Sequence, residues 1–99
     1  MFIRLIRMQM ETVAIDEASE QFRDGVIPKC QSQKGYKGAY FLADRRTGDC
    51  LPMTIWDTEE DMMATEKNRF FQEQLIKFMV FFKKPPVREA YEVVFEEKK

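Results

Sequence analysis

The sequence contains no histidine. Histidine is the usual ligand of zinc and haem iron, and the one side chain whose unperturbed titration falls near neutrality. Its absence excludes Ser-His-Asp and Cys-His catalytic arrangements and the HExxH zinc helix, and no metal site is expected. Cysteine is scarce. Cys30 and Cys50 form no CxxC pair and are too few for a disulfide framework, so cytoplasmic residence is the default expectation. The four glycines, Gly25, Gly35, Gly38 and Gly48, are scattered and make neither a dinucleotide-binding nor a phosphate-cradling loop. The longest apolar run, Phe78 to Phe82, falls far short of the roughly 20 residues that cross a membrane. The opening Met1-Phe2-Ile3-Arg4-Leu5-Ile6-Arg7 lacks the apolar core and cleavage site of a signal peptide. Charge of one sign is missing too: 16 basic against 17 acidic residues leave a net charge of -1, without the positive excess of a nucleic-acid-binding domain. Neither a membrane nor a nucleic acid is therefore expected as partner. Any catalysis must use carboxylates, Tyr, Lys, Arg or Cys, or rest on chemistry that the substrate supplies.

What is present suits one domain over residues 1–99, because 44% hydrophobic and 13% aromatic content can build a core at this length. Residues 2–10 read as a strand. From Ile15, apolar positions recur at Ala18, Phe22 and Val26, the spacing of a helix face, and Pro28 should kink or end that helix. Residues 36–44 and 50–57 read as a hairpin around Arg45-Arg46-Thr47-Gly48-Asp49, with glycine where positive φ is wanted. Thr58 and Asp61 resemble a capping box opening a second helix, with Phe71, Leu75, Phe78 and Phe82 on one stripe. The second half of that helix, with Ile76, Met79, Val80 and Phe81, is apolar almost all round, so more than one face is expected to be buried. Pro85-Pro86 stops it, and Val87 to Phe95 reads as the last strand.

This order, βαββαβ, predicts an α+β, ferredoxin-like fold: a four-stranded antiparallel sheet with two helices on one face. Both sheet faces are apolar by strand parity. Tyr36, Tyr40 and Leu42 oppose Ala39, Phe41 and Ala43; Leu51, Met53 and Ile55 oppose Cys50, Thr54 and Trp56; Ile3 and Leu5 oppose Phe2, Ile6, Met8 and Met10. Helices cover one face only, and the other would expose more apolar surface than soluble monomers tolerate. A homodimer packed sheet to sheet follows as the expectation. The RNA-recognition fold shares this element order, and Lys34-Gly35-Tyr36 with Phe41 echoes its aromatic signature. Lys37 and Gly38 stand where that signature needs a small residue and a stacking aromatic, so the match fails.

The stretches Gly35-Tyr36-Lys37-Gly38-Ala39-Tyr40, Asp44-Arg45-Arg46-Thr47-Gly48 and Thr54-Ile55-Trp56-Asp57-Thr58-Glu59-Glu60 resemble the antibiotic biosynthesis monooxygenase (ABM) family. That family belongs to the dimeric α/β-barrel superfamily, and the resemblance covers nearly the whole chain in element order. Trp56 matches the family's tryptophan at the end of the third strand, and Phe71 matches a phenylalanine of its second helix. Many members carry a histidine where this chain has Thr65. The asparagine, tryptophan and histidine of the haem-degrading branch align near Ile6, at Thr65 and at Leu75, and none is kept, which counts against haem degradation. The resemblance instead implies the cofactor-free branch, in which an aromatic or quinone-like substrate, once deprotonated, itself reduces dioxygen. It also implies an apolar ligand pocket between helices and sheet, bordered by Arg4, Ile6, Trp56, Thr65, Phe71 and Leu75. Arg4 shares strand parity with Ile6 and could hold an anionic substrate there, or pair with a carboxylate instead. Trp56 could stack on a ring or plug the core. A non-catalytic module with the same barrel, holding a small apolar ligand or serving as a structural partner, is the alternative.

Overall fold

The computed structural model describes residues 1–99. Four antiparallel strands, β1 (Phe2–Gln9), β2 (Tyr36–Ala43), β3 (Asp49–Trp56) and β4 (Val87–Glu92), form one sheet in the order β2-β3-β1-β4. Two helical runs lie between β1 and β2 and between β3 and β4, as the βαββαβ reading requires. The core forms where the runs meet β1: Ile6 and Met8, with Met10 just past the strand's end, pack with Ile15, Ala18, Phe22, Val26 and Cys30 of the first run and with Phe78. The three-to-four spacing from Ile15 to Cys30 keeps each of those side chains on one stripe.

The first run is not interrupted by Pro28. Helix α1 (Ile15–Gln21) widens into a π-helical turn, Phe22–Val26, and resumes as α2 (Ile27–Cys30), with Pro28 in its first turn. The Ile27 N–H reaches back five residues to the Phe22 carbonyl. A wider turn of this kind accommodates a ring that would otherwise meet the preceding turn, and at the start of α2 no proline N–H is needed. The hairpin turns as expected. Gly48 has φ +84°, and a Cβ there would lie 1.9 Å from the Met10 carbonyl oxygen, so backbone packing as well as conformation demands glycine.

The second run departs from the reading of one helix continuing to Phe82. Helix α3 (Glu59–Lys67) starts at Thr58, whose hydroxyl accepts the Asp61 N–H at 3.0 Å. It stops at Asn68, and Arg69 adopts φ 67° before α4 (Phe70–Ile76) begins. The Asn68 side-chain oxygen accepts the Phe70 N–H at 2.9 Å, a local bond that competes with the helical ladder. A short 3₁₀ turn, Met79–Phe81, follows α4, so the helix ends well before Pro85. The expectation that this segment buries more than one face does not hold in the single chain: Ile76, Met79 and Val80 are 62%, 61% and 86% exposed.

Two strand details also differ. A bulge between Tyr36 and Gly38 turns Tyr36 to the helix side, where it meets Trp56 edge-on at 5.7 Å, instead of joining Tyr40 and Leu42. The last strand ends at Glu92, leaving Val94 and Phe95 outside the sheet and exposed. The register leaves Ile3, Leu5, Tyr40, Leu42, Leu51, Ile55, Val87 and Tyr91 on the face without helices. The charged pair on that face is Arg7 with Glu89, at 3.0 Å.

Candidate functional site

A partly open cavity of about 60 Å³ lies between the helical runs and the sheet. All six residues singled out by resemblance border it: Arg4 and Ile6 from β1, Trp56 from β3, Thr65 from α3, Phe71 and Leu75 from α4. The alternation of β1 places Arg4 beside Ile6 on the helix side, and the four-residue step from Phe71 to Leu75 keeps both on one face of α4. Their capacities differ. Trp56 is 2% exposed and its indole N–H donates to the Thr54 hydroxyl at 2.9 Å, so it serves as a wall. The Thr65 hydroxyl donates to the Met62 carbonyl at 2.7 Å, one turn back in its own helix. Ile6, Phe71 and Leu75 add apolar surface.

Arg4 carries the only formal charge among the lining residues. It is 7% exposed, and its Nη2 donates to Glu66 Oε2 at 2.6 Å. Nη1 reaches the Glu89 carbonyl at 3.3 Å, while Nε is buried with no partner. The second oxygen of Glu66, Oε1, belongs to Arg88, again at 2.6 Å. Both guanidinium groups lie over the Phe71 ring, 5.6 and 5.8 Å from its centre. Burial lowers the Arg4 pKa, Glu66 acts against that, and Arg88 adds to it; arginine stays charged throughout.

Elsewhere on the wall, Gln74 is buried and its side-chain oxygen accepts from Lys77 Nζ at 2.9 Å. Lys77 also donates to the Gly25 carbonyl at 2.6 Å, tying the end of α4 to the π-helical turn. Burial, then the neighbouring Lys29, lowers the Lys77 pKa. Cys30 borders the cavity too. Burial pushes its thiol up to about 11, against the pull of Lys77, so it is no nucleophile near neutrality. No cluster of acidic or cysteine ligands gathers that could hold a metal ion.

No family model matches the chain. Two uncharacterised proteins of Mycobacterium tuberculosis are similar in sequence: Rv2557, 32% identical over 66 residues, and Rv2558, 30% identical over 64. These stretches cover 67% and 65% of this chain, which spans only about 30% and 27% of the lengths of those two relatives. Three solved structures match almost end to end. A Deinococcus radiodurans protein assigned as an antibiotic biosynthesis monooxygenase has a TM-score of 0.74 at 12% identity, covering 100% of this chain and 98% of that one. The ActVA-Orf6 monooxygenase of Streptomyces coelicolor, in complex with nanaomycin D, gives 0.73 at 14% identity over 99% and 91%. The haem-degrader MhuD of M. tuberculosis, with two haems bound in its active site, gives 0.72 at 14% identity over 99% and 100%.

This chain has the ABM fold. Within that fold the cavity described above occupies the space between helices and sheet. Reading by resemblance found Arg4 but missed Glu66, Arg88 and Gln74. Arg88 carried a signal: its parity in β4 puts it on the same side as Arg4 once Ile6 is its register partner. Glu66 directly follows Thr65, and Gln74 precedes Leu75, so both were adjacent to residues already named.

Proposed function

We propose that residues 1–99 form one ABM-like domain that binds an aromatic or quinone-like small molecule in the helix–sheet cavity and oxidises it with dioxygen, without a cofactor. The observation that carries this reading is an apolar cavity whose single charged lining residue, Arg4, keeps a buried N–H free for an acceptor. In such a reaction the deprotonated phenol passes electrons to dioxygen. A ring C–H ortho or para to the phenolate becomes C=O while the phenolate C–O also becomes C=O, and the second oxygen atom leaves as water with the ring hydrogen and the phenol's proton. The chain's task is to exclude water, fix the ring against Trp56 and Phe71, and stabilise the phenolate through Arg4. The partner proposed for the open sheet face is a second copy of the chain, since that face is apolar and no helix crosses it. Two unpaired thiols suit the cytoplasm. No helix is long and apolar enough to cross a membrane.

Oxygen uptake with a panel of naphthohydroquinones tests the reading. Consumption above autoxidation that falls at least tenfold in Arg4→Met supports it; no consumption above autoxidation removes the oxygenase activity for that class. A second reading, a non-catalytic binding module, is favoured by one observation. The cavity, at about 60 Å³, is smaller than the roughly 150 Å³ in which an engineered cavity takes up benzene, so any ring must displace wall side chains.

A further inference from the structure

The Arg4–Glu66–Arg88 cluster has a charge count that a plain structural ion pair would lack. Glu66 is the only carboxylate within salt-bridge distance of either arginine, and it gives one oxygen to each. Two positive charges therefore share one negative charge, leaving an excess of one beside the cavity. Arg88 is about half exposed and can be solvated. Arg4 cannot: it is more than nine-tenths buried, it borders the cavity, and its Nε–H has no acceptor. No acidic residue lines the cavity to balance it. A buried donor left unpaired on a charged group is costly, and an anionic oxygen entering the cavity would meet both the donor and the uncompensated charge.

We propose that this cluster selects ligands by charge, taking a small aromatic monoanion, a carboxylate or phenolate, in preference to a neutral ring or a dianion, with Glu66 as the positioning residue that sets the count. The proposal rests on the cavity being the ligand site. Glu66 acts through the arginines. It holds them over the Phe71 ring and cancels one of their two charges, so a ligand with one negative charge completes neutrality and one with two exceeds it.

The test titrates the full-length protein with three naphthalene probes of similar shape: 2-naphthoate, 2-naphthamide and naphthalene-2,3-dicarboxylate. The wild type should bind naphthoate at least tenfold more tightly than the amide, and more tightly than the dicarboxylate. Glu66→Gln should raise dicarboxylate affinity at least tenfold relative to naphthoate. Arg88→Gln alters a half-exposed side chain and should remove the preference for naphthoate over the amide, with circular dichroism showing that the variant folds. Equal affinity of the wild type for naphthoate and amide overturns charge selection but leaves an aromatic site standing. An unchanged order of affinities in both variants overturns the role of the cluster. Failure of all three probes to bind overturns the proposal together with the cavity reading beneath it.

Discussion

Replacing Ile55 by glutamate probes the open sheet face. Ile55 lies on that face near the end of the inner strand β3, opposite Ile3 on β1 and Gly38 on β2. On the same face Tyr40, Leu42, Val87 and Tyr91 remain 61%, 43%, 52% and 54% exposed. Fully burying a large apolar side chain contributes about 1.5–3 kcal/mol, so covering these half-exposed residues gives about 1 kcal/mol each. A symmetric pair uses every one of them twice, for about 8 kcal/mol, which is of the order of the association cost itself. The less exposed residues at the centre of the face must then supply the margin. Ile55→Glu would place an unpartnered carboxylate in each half of the interface, at about 3–5 kcal/mol apiece. Association should weaken by at least about 10⁴-fold, at 1.4 kcal/mol per tenfold. Sedimentation velocity at micromolar concentration should give a particle of twice the 11.8 kDa chain mass for the wild type and a single chain for the variant. Circular dichroism should stay unchanged, because the helix-side core is untouched. A wild type that sediments as one chain would refute the reasoning, as would a variant that still pairs.

Three further outcomes follow from the packing and the titrations. Cys30 has its thiol raised from 9.0 to about 11 by burial, so the unfolded chain releases this proton first and folded stability is lost as pH rises between those values. By pH 11 the loss is about 2 kcal/mol; Lys77, held below its usual pKa by burial, works the other way, so the readout is the difference between wild type and Cys30→Ala in urea unfolding at pH 8 and 11. A pH-independent difference would contradict the burial of this thiol. Gly48→Ala forces a Cβ onto the Met10 carbonyl at positive φ and should cost about 2–4 kcal/mol, measured by chemical denaturation; a loss below about 1 kcal/mol would mean that the hairpin readily shifts. No residue lining the cavity titrates near neutrality, so oxidation should rise with pH through the bound substrate's own pKa, lowered by about 1–2 units beside Arg4. Arg4→Met should move that midpoint upward, and a midpoint identical for substrates of different acidity would point to a protein base instead.

The features legible in the sequence are those whose cause lies within a few residues. Ile15, Ala18, Phe22 and Val26 declare a helix face by spacing alone, Gly48 declares a turn, and Thr58 declares a helix start. The break at Asn68-Arg69 was also local, but neither glycine nor proline marks it. Its cause is the Asn68 side chain capturing the Phe70 N–H. The bulge before Gly38 depends on register with β3, and it reverses Tyr36 alone because only residues before the extra one change sides. The candidate site divides along the same line. Its apolar wall was reached through the family resemblance, and strand parity and helix period explain why Ile6, Phe71 and Leu75 line one cavity. Its electrostatics depend on pairing across the fold. Arg4 and Glu66 are 62 positions apart, and whether Arg4 is spent on a carboxylate turns on Glu66 of α3 reaching the two arginines, one from β1 and one from β4, that lie over the Phe71 ring. Of the two alternatives for Arg4, the pairing with a carboxylate is the one the structure contains; the ligand role proposed above rests on that carboxylate being shared with Arg88.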